Sequence, residues 1–234
     1  MALWVGTSGW AYKEWKGTFY PEDLKDADML SHYATRLPSV EVNNTFYRMP
    51  RREVLQAWTD QVPEGFRFVL KASRRITHKA KLGPEAREPL EYLLANVGEL
   101  GERLGALLFQ TPPWLKKDVG LLRDFLDLLP QGLRAAFEFR STSWFDQEVF
   151  DALRERNAAL VTADTGDPAK DPPLEPTADW GYARLRRIDY ADDLVEEWAT
   201  RLTAQGWSDV FVFFKHEDEG AGPALAQRFI DLTS

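Results

Sequence analysis

The chain has 234 residues, 44% of them hydrophobic and 28% charged, with no cysteine and a formal charge of −8 at pH 7. That length suits one α/β barrel, a fold that often runs to about 250 residues. The lack of Cys excludes disulfides, thiolate metal sites and a cysteine nucleophile, and the acidic balance disfavours general binding to nucleic acid or anionic membrane.

No apolar run approaches the roughly 18 residues of a membrane helix. The opening residues lack the basic and apolar regions of a signal peptide. A cytoplasmic protein without a membrane partner is therefore expected. Short β-rich runs then alternate with longer amphipathic stretches, the pattern of βα units around a parallel sheet. Strands are expected at residues 3–8, 40–43, 66–71, 106–110, 134–139, 159–163, 181–185 and 210–214. Helices are expected at 22–37, 51–61, 84–104, 119–129, 146–156, 192–204 and 222–232. Between the sixth and seventh strands, residues 167–179 carry Pro168, Pro172, Pro173 and Pro176, which forbid a regular helix. The expected fold is a single TIM-type (β/α)8 barrel over residues 1–234, with an irregular Pro-rich loop in place of the sixth helix. An open doubly wound sheet is the alternative. Gly6-Thr7-Ser8-Gly9 lacks the third glycine of a dinucleotide-binding turn.

Strand residues alternate between the barrel interior and the helices. With large apolar residues outward, the inward set toward the carboxyl ends is Glu41 and Asn43, Lys71, Gln110, Glu138 and Arg140, Thr162 and Asp164, and Tyr182 and Arg184. The eighth strand ends in Lys215 and His216, where the parity is open. Barrel active sites lie at this end. An inward charge is costly unless it is paired or functional, so an internal ion-pair ring and a ligand site are both open readings. Aromatics gather in the same loops: Trp10, Tyr12, Trp15, Phe46, Tyr47 and Trp144. They could stack on a ligand or simply close the barrel top.

Several of these segments form longer motifs. They include Val5-Gly6-Thr7-Ser8-Gly9-Trp10 with Phe19-Tyr20-Pro21, and Val40-Glu41-Val42-Asn43-Asn44-Thr45-Phe46-Tyr47-Arg48. Others are Ile76-Thr77-His78, Leu108-Phe109-Gln110-Thr111-Pro112-Pro113, and Glu138-Phe139-Arg140 with Ser143-Trp144. Together they resemble the YecE-like family, domain-of-unknown-function family 72. The resemblance implies a TIM-type barrel and no particular activity. Two segments depart from the family pattern. Arg184-Leu185-Arg186-Arg187 stands where the family has Arg-x-His-Gly, and Phe214-Lys215-His216 where it has Phe-Asn-Asn. The extra cations favour a more anionic ligand.

Glu41 and Glu138 are the candidate acid/base pair, since two carboxylates across a barrel mouth are the minimum for glycosidic chemistry. Asn43, Lys71, Gln110, Arg140, Asp164, Arg184 and His216 are the candidate ligand-binding residues. Lys71, Arg140, Arg184, Arg186 and Lys215 outnumber Glu41, Glu138 and Asp164, which suggests focusing of an anion. His32, His78 and His216 show no metal-ligand spacing, so neither a metal nor a cofactor is expected. The reading is an enzyme acting on a small anionic or sugar-like substrate. The alternative is a nucleic-acid-binding protein using the aromatic and Arg/Lys rim.

Overall fold

In the computed structural model, which describes residues 1–215 and 220–233, eight parallel strands close into a barrel in sequence order. The strands are β1 (Ala2–Thr7), β2 (Ser39–Val42), β3 (Arg67–Lys71), β4 (Leu104–Gln110), β5 (Ala135–Glu138), β6 (Ala159–Asp164), β7 (Trp180–Leu185) and β8 (Asp209–Phe214). Closure runs along the whole of β1, from Ala2 opposite Asp209 to Thr7 opposite Phe214. The helices are α1 (Met29–Ala34), α2 (Arg52–Thr59), α3 (Arg87–Val97), α4 (Val119–Leu126), α5 (Gln147–Glu155), α6 (Asp192–Thr203) and α7 (Ala221–Thr233). Residues 165–179 carry no helix.

The period of two along each strand divides the core into two layers. Outward residues such as Val40, Val42, Phe68, Leu70, Phe109, Phe137, Val210 and Val212 meet the helices. Inward residues fill the barrel: Val69, Ala106, Leu108, Ala136, Ala159, Val161, Trp180, Tyr182, Phe211 and Phe213, with Trp4 packed below them. Arg67 lies over the Trp4 ring at 4.7 Å, and Arg134 lies over Trp180 at 5.8 Å while pairing with Asp209. The amino-terminal end is thus plugged, which leaves the carboxyl end as the open one.

Helices close the outer layer with their apolar faces. On α4, Leu122, Phe125 and Leu126 are buried, and the Asp118 carboxylate caps the helix by accepting from the Leu121 amide at 2.9 Å. Such a cap stabilises a helix by about 1 kcal/mol. Close strand approach has its own requirement at Gly6, where a Cβ would sit 1.8 Å from the Ser39 carbonyl oxygen. The Tyr33 hydroxyl ties the same place together, accepting from the Thr7 amide and donating to Ser39 O, each at 2.9 Å.

Two long helical stretches are shorter than their periodicity predicts. Residues 22–37 give a 3-10 turn, Asp26–Asp28, and then only the six residues of α1. Residues 84–104 divide into a 3-10 turn, α3 and a second 3-10 segment, Gly98–Arg103. Gly101, at φ 52°, breaks the helical path and lets β4 begin at Leu104.

One inward assignment is corrected. In β6 the residues facing the barrel are Ala159 and Val161, in register with Tyr182 of β7. Thr162 and Asp164 therefore face the helices. The large Leu160 joins the outer core, and its size sets the parity that small Ala159 and Ala163 leave ambiguous.

Candidate functional site

The carboxyl end of the barrel holds a buried polar network centred on Arg184. Its guanidinium donates to Glu41 Oε1 at 2.8 Å and to Glu138 Oε2 at 2.5 Å. All three side chains are at most 3% exposed. Glu41 also accepts from Ser8 Oγ at 2.8 Å, Asn43 Nδ2 at 2.9 Å and the Tyr182 hydroxyl at 2.6 Å. Glu138 accepts from Gln110 Nε2 at 2.7 Å and from Arg186 at 3.1 Å. Gln110 in turn accepts from Lys71 Nζ at 2.8 Å. Period-two alternation delivers these groups: Tyr182, Arg184 and Arg186 share one face of β7 and its extension.

Burial opposes charge on both carboxyls, yet both are held below the ordinary range. At Glu138 the Arg184 and Arg186 guanidiniums outweigh burial and bring the pKa down to about 2. At Glu41, Arg184 and the donated hydrogen bonds do the same. Lys71 moves the other way. Burial, and then the repulsion of Arg184, bring its ammonium down to about 8, against the pull of Glu138 and Glu41. Its Nζ lies 4.5 Å from the centre of the Phe46 ring, and no carboxylate among the described residues stands at ion-pair distance from it.

His78 packs edge-on to the same Phe46 ring at 5.0 Å, with Nδ1 2.9 Å from Thr77 Oγ1. Burial, Lys71 and Arg140 hold its pKa below the ordinary value. It belongs to a π-helical turn, Arg75–Lys79, a form often found at functional sites. Lys81 and Leu82 follow with φ of 55° and 64°, which is unfavourable for side-chain-bearing residues. Across the mouth, Ser8 and Asn43 also line a cavity of about 120 Å³ between the loops after β1 and β2.

Of the candidates read from sequence, Glu41, Asn43, Lys71, Gln110, Glu138 and Arg184 join this one network. Asp164 lies outside the barrel, where it accepts from Trp198 Nε1 of α6 at 3.0 Å, the Tyr190 hydroxyl at 3.1 Å and the Gly166 amide at 3.0 Å. Arg140 is exposed and has no ion pair among the described residues. His216 lies outside the described residues. The loop aromatics divide. Trp15 and Trp144 are fully buried in the outer core, with Trp144 stacked on Phe139 at 4.5 Å. Tyr47 stays 70% exposed. Sequence reasoning missed His78 as a neighbour of Lys71, because the π-helical turn that aims it has no periodic signal. It also missed the contact of Arg186 with Glu138, although the alternation from Arg184 points to it. Among the described residues there is no cluster of three or more His, Asp or Glu that could hold a metal ion, and no helix long and apolar enough to cross a membrane.

Residues 4–234 match the model of a family described as a protein of unknown function, DUF72. The chain belongs to this family. It is similar to the DUF72 protein of Thermotoga maritima, whose crystal structure superposes with a TM-score of 0.82 at 26% identity over 99% of each chain. It is also similar to the UPF0759 protein YecE of Escherichia coli K12, at 26% identity over 169 residues. That match covers 70% of this chain and 59% of YecE. YunF of Bacillus subtilis is 26% identical over 163 residues, which cover 64% of this chain and 54% of YunF. The chain thus aligns with little more than half the length of these two relatives. The DUF72 resemblance read from the motifs and the TIM-type barrel both hold.

Proposed function

We propose that the carboxyl end of this DUF72 barrel is an enzyme site for a small anionic substrate. One observation carries the reading: among the described residues, three cations, Arg184, Arg186 and Lys71, stand around only two carboxylates. Arg184 is consumed by both. Arg186 gives one arm to Glu138 and keeps a buried Nε with no partner. Among the described residues Lys71 donates to a neutral amide oxygen. A phosphate, sulfate or carboxylate group would supply the missing acceptors, and hydrogen bonds to such ions from guanidinium are strong. Arg140 stands close enough to His78 to add charge at the rim.

In this reading Glu41 and Glu138 act in ionised form. A general acid at neutral pH needs a raised pKa, and both carboxyls are lowered, which argues against a two-carboxylate glycosidase. Glu138 would hold the guanidiniums in place or accept a proton, and Glu41 would anchor the network through Tyr182 and Ser8. Asn43 and Gln110 would fix the orientation of the carboxylates. Calorimetric titration with sulfate and phosphate tests the reading. Binding that weakens at least about tenfold in Arg186→Met supports it, and equal binding by Arg186→Met and the parent chain refutes it.

A nucleic-acid ligand is the second reading, favoured by the exposed Tyr47 and Trp114 with Arg74 at 6.0 Å and Lys81 at 5.4 Å from their rings. The charge of −8 opposes it. Many phosphate contacts would make affinity fall steeply with salt, whereas a single small anion gives a shallow slope.

A further inference from the structure

We infer that Lys71 is a nucleophilic amine that forms an imine with a small carbonyl compound carrying an anionic group, with His78 as the proton relay. The inference rests on the anion-binding reading of the mouth and adds the substrate's reacting group. Four observations converge on it. Lys71 ends β3 facing the lumen and is half-buried, so a ligand in the mouth can reach it. No carboxylate among the described residues pairs with it, and its one hydrogen bond goes to the neutral Gln110 oxygen. Arg184 and Arg186 stand close enough to oppose its charge. Its Nζ and the His78 ring lie within about 5 Å of the centre of one shared ring, Phe46. A lysine half-buried beside cations loses its proton more readily than one in water, and the neutral amine is the form that attacks carbonyl carbon.

The step balances without an oxidant or a cofactor. The amine adds to the carbonyl carbon, the carbon–nitrogen bond forms, and the carbon–oxygen bond breaks. The oxygen leaves as water carrying both amine protons. His78, held neutral beside Lys71 and Arg140, is placed to take a proton from nitrogen and hand it to the departing oxygen. The anionic group of the substrate would rest on Arg186 and Arg140.

Reductive trapping tests the inference. The protein at pH 7.5 is incubated with glyoxylate or with acetaldehyde, each with cyanoborohydride, and peptide mass spectrometry follows the rate at every lysine. An amine near pH 8 carries far more free base than an ordinary lysine near pH 10.4, so Lys71 should be modified at least about tenfold faster than the exposed Lys116. Glyoxylate should outpace acetaldehyde at Lys71 alone. Sulfate should slow that reaction, and His78→Gln should slow it while leaving sulfate binding intact. Modification of Lys71 no faster than Lys116 by either aldehyde overturns the imine. The sulfate titration then still decides the anion site on its own. Rapid modification of Lys71 that is equal for both aldehydes and indifferent to sulfate overturns the anionic substrate class.

Discussion

Replacing Arg184 by Met keeps the bulk of the side chain and removes the charge that two buried carboxylates share. Removing one partner of a buried ion pair costs about 3–5 kcal/mol, because the remaining charge stays buried. Here Glu41 retains Ser8, Asn43 and Tyr182, and Glu138 retains Gln110 and Arg186, which places the loss near the lower figure. At roughly 2–4 °C per kcal/mol for a chain of this size, the melting temperature should fall by about 6–12 °C at pH 7. The pH dependence adds a second constraint. Glu138 is held at about 2 in the folded state, against roughly 4.3 when unfolded. A lowered carboxyl contributes its stability above the unfolded value and loses it as pH falls toward the folded one. At about 1.4 kcal/mol per pH unit, that is roughly 3 kcal/mol lost between about pH 4.3 and 2 in the parent chain. Without Arg184 much of this acid-side loss disappears, so the two stability curves should converge as pH falls. Thermal melting at pH 7 measures the first effect, and urea unfolding at pH 7, 4 and 3 the second. A fall in melting temperature under about 2 °C at pH 7, or a gap that does not narrow at pH 3, refutes the argument.

Asp164→Ala strands the Trp198 indole and takes one hydrogen bond from the Tyr190 hydroxyl, and should lower stability by roughly 2 kcal/mol while leaving sulfate affinity unchanged. A loss of sulfate binding at unchanged stability would return Asp164 to the mouth. Gly6→Ala should prevent folding or cost more than about 3 kcal/mol, since its Cβ would overlap the Ser39 carbonyl. Circular dichroism and thermal melting check it, and a melt within a few degrees of the parent would show that the two strands can separate.

The barrel was legible because its signal is local and redundant. Phe66, Phe68 and Leu70 announce the outer face of β3, so Val69 and Lys71 must turn in, and the same logic places Glu41, Gln110, Glu138 and Arg184. It fails in β6, where Ala159 and Ala163 carry no size information and the parity rests on Leu160 and on the pairing of Val161 with Tyr182. The three-to-two imbalance of charge was visible as a surplus of cations. Which of them pair depends on reach across the lumen, and alternation along one strand says nothing about that. Arg140 shows the limit. It follows Glu138 by two residues, but β5 ends at Glu138, and beyond the last ladder bond the inward rule no longer governs. His78 owes its place to a π-helical turn, whose irregular backbone leaves no periodic trace in the sequence.

The Arg184 network joins β2, β5 and β7, none of which is a neighbour of another in the sheet. Adjacent staves are fastened by backbone bonds, and these three are tied by side chains reaching across the hollow like spokes to a hub. A seam that begins to part between any two staves must also pull a spoke, and its charge would be left in a space water reaches poorly. Partial opening is thereby made nearly as costly as complete unfolding. The amide hydrogens of β2, β5 and β7 should exchange together and last, at the free energy of the whole barrel. The buried charges of this hub keep the ring from opening a stave at a time.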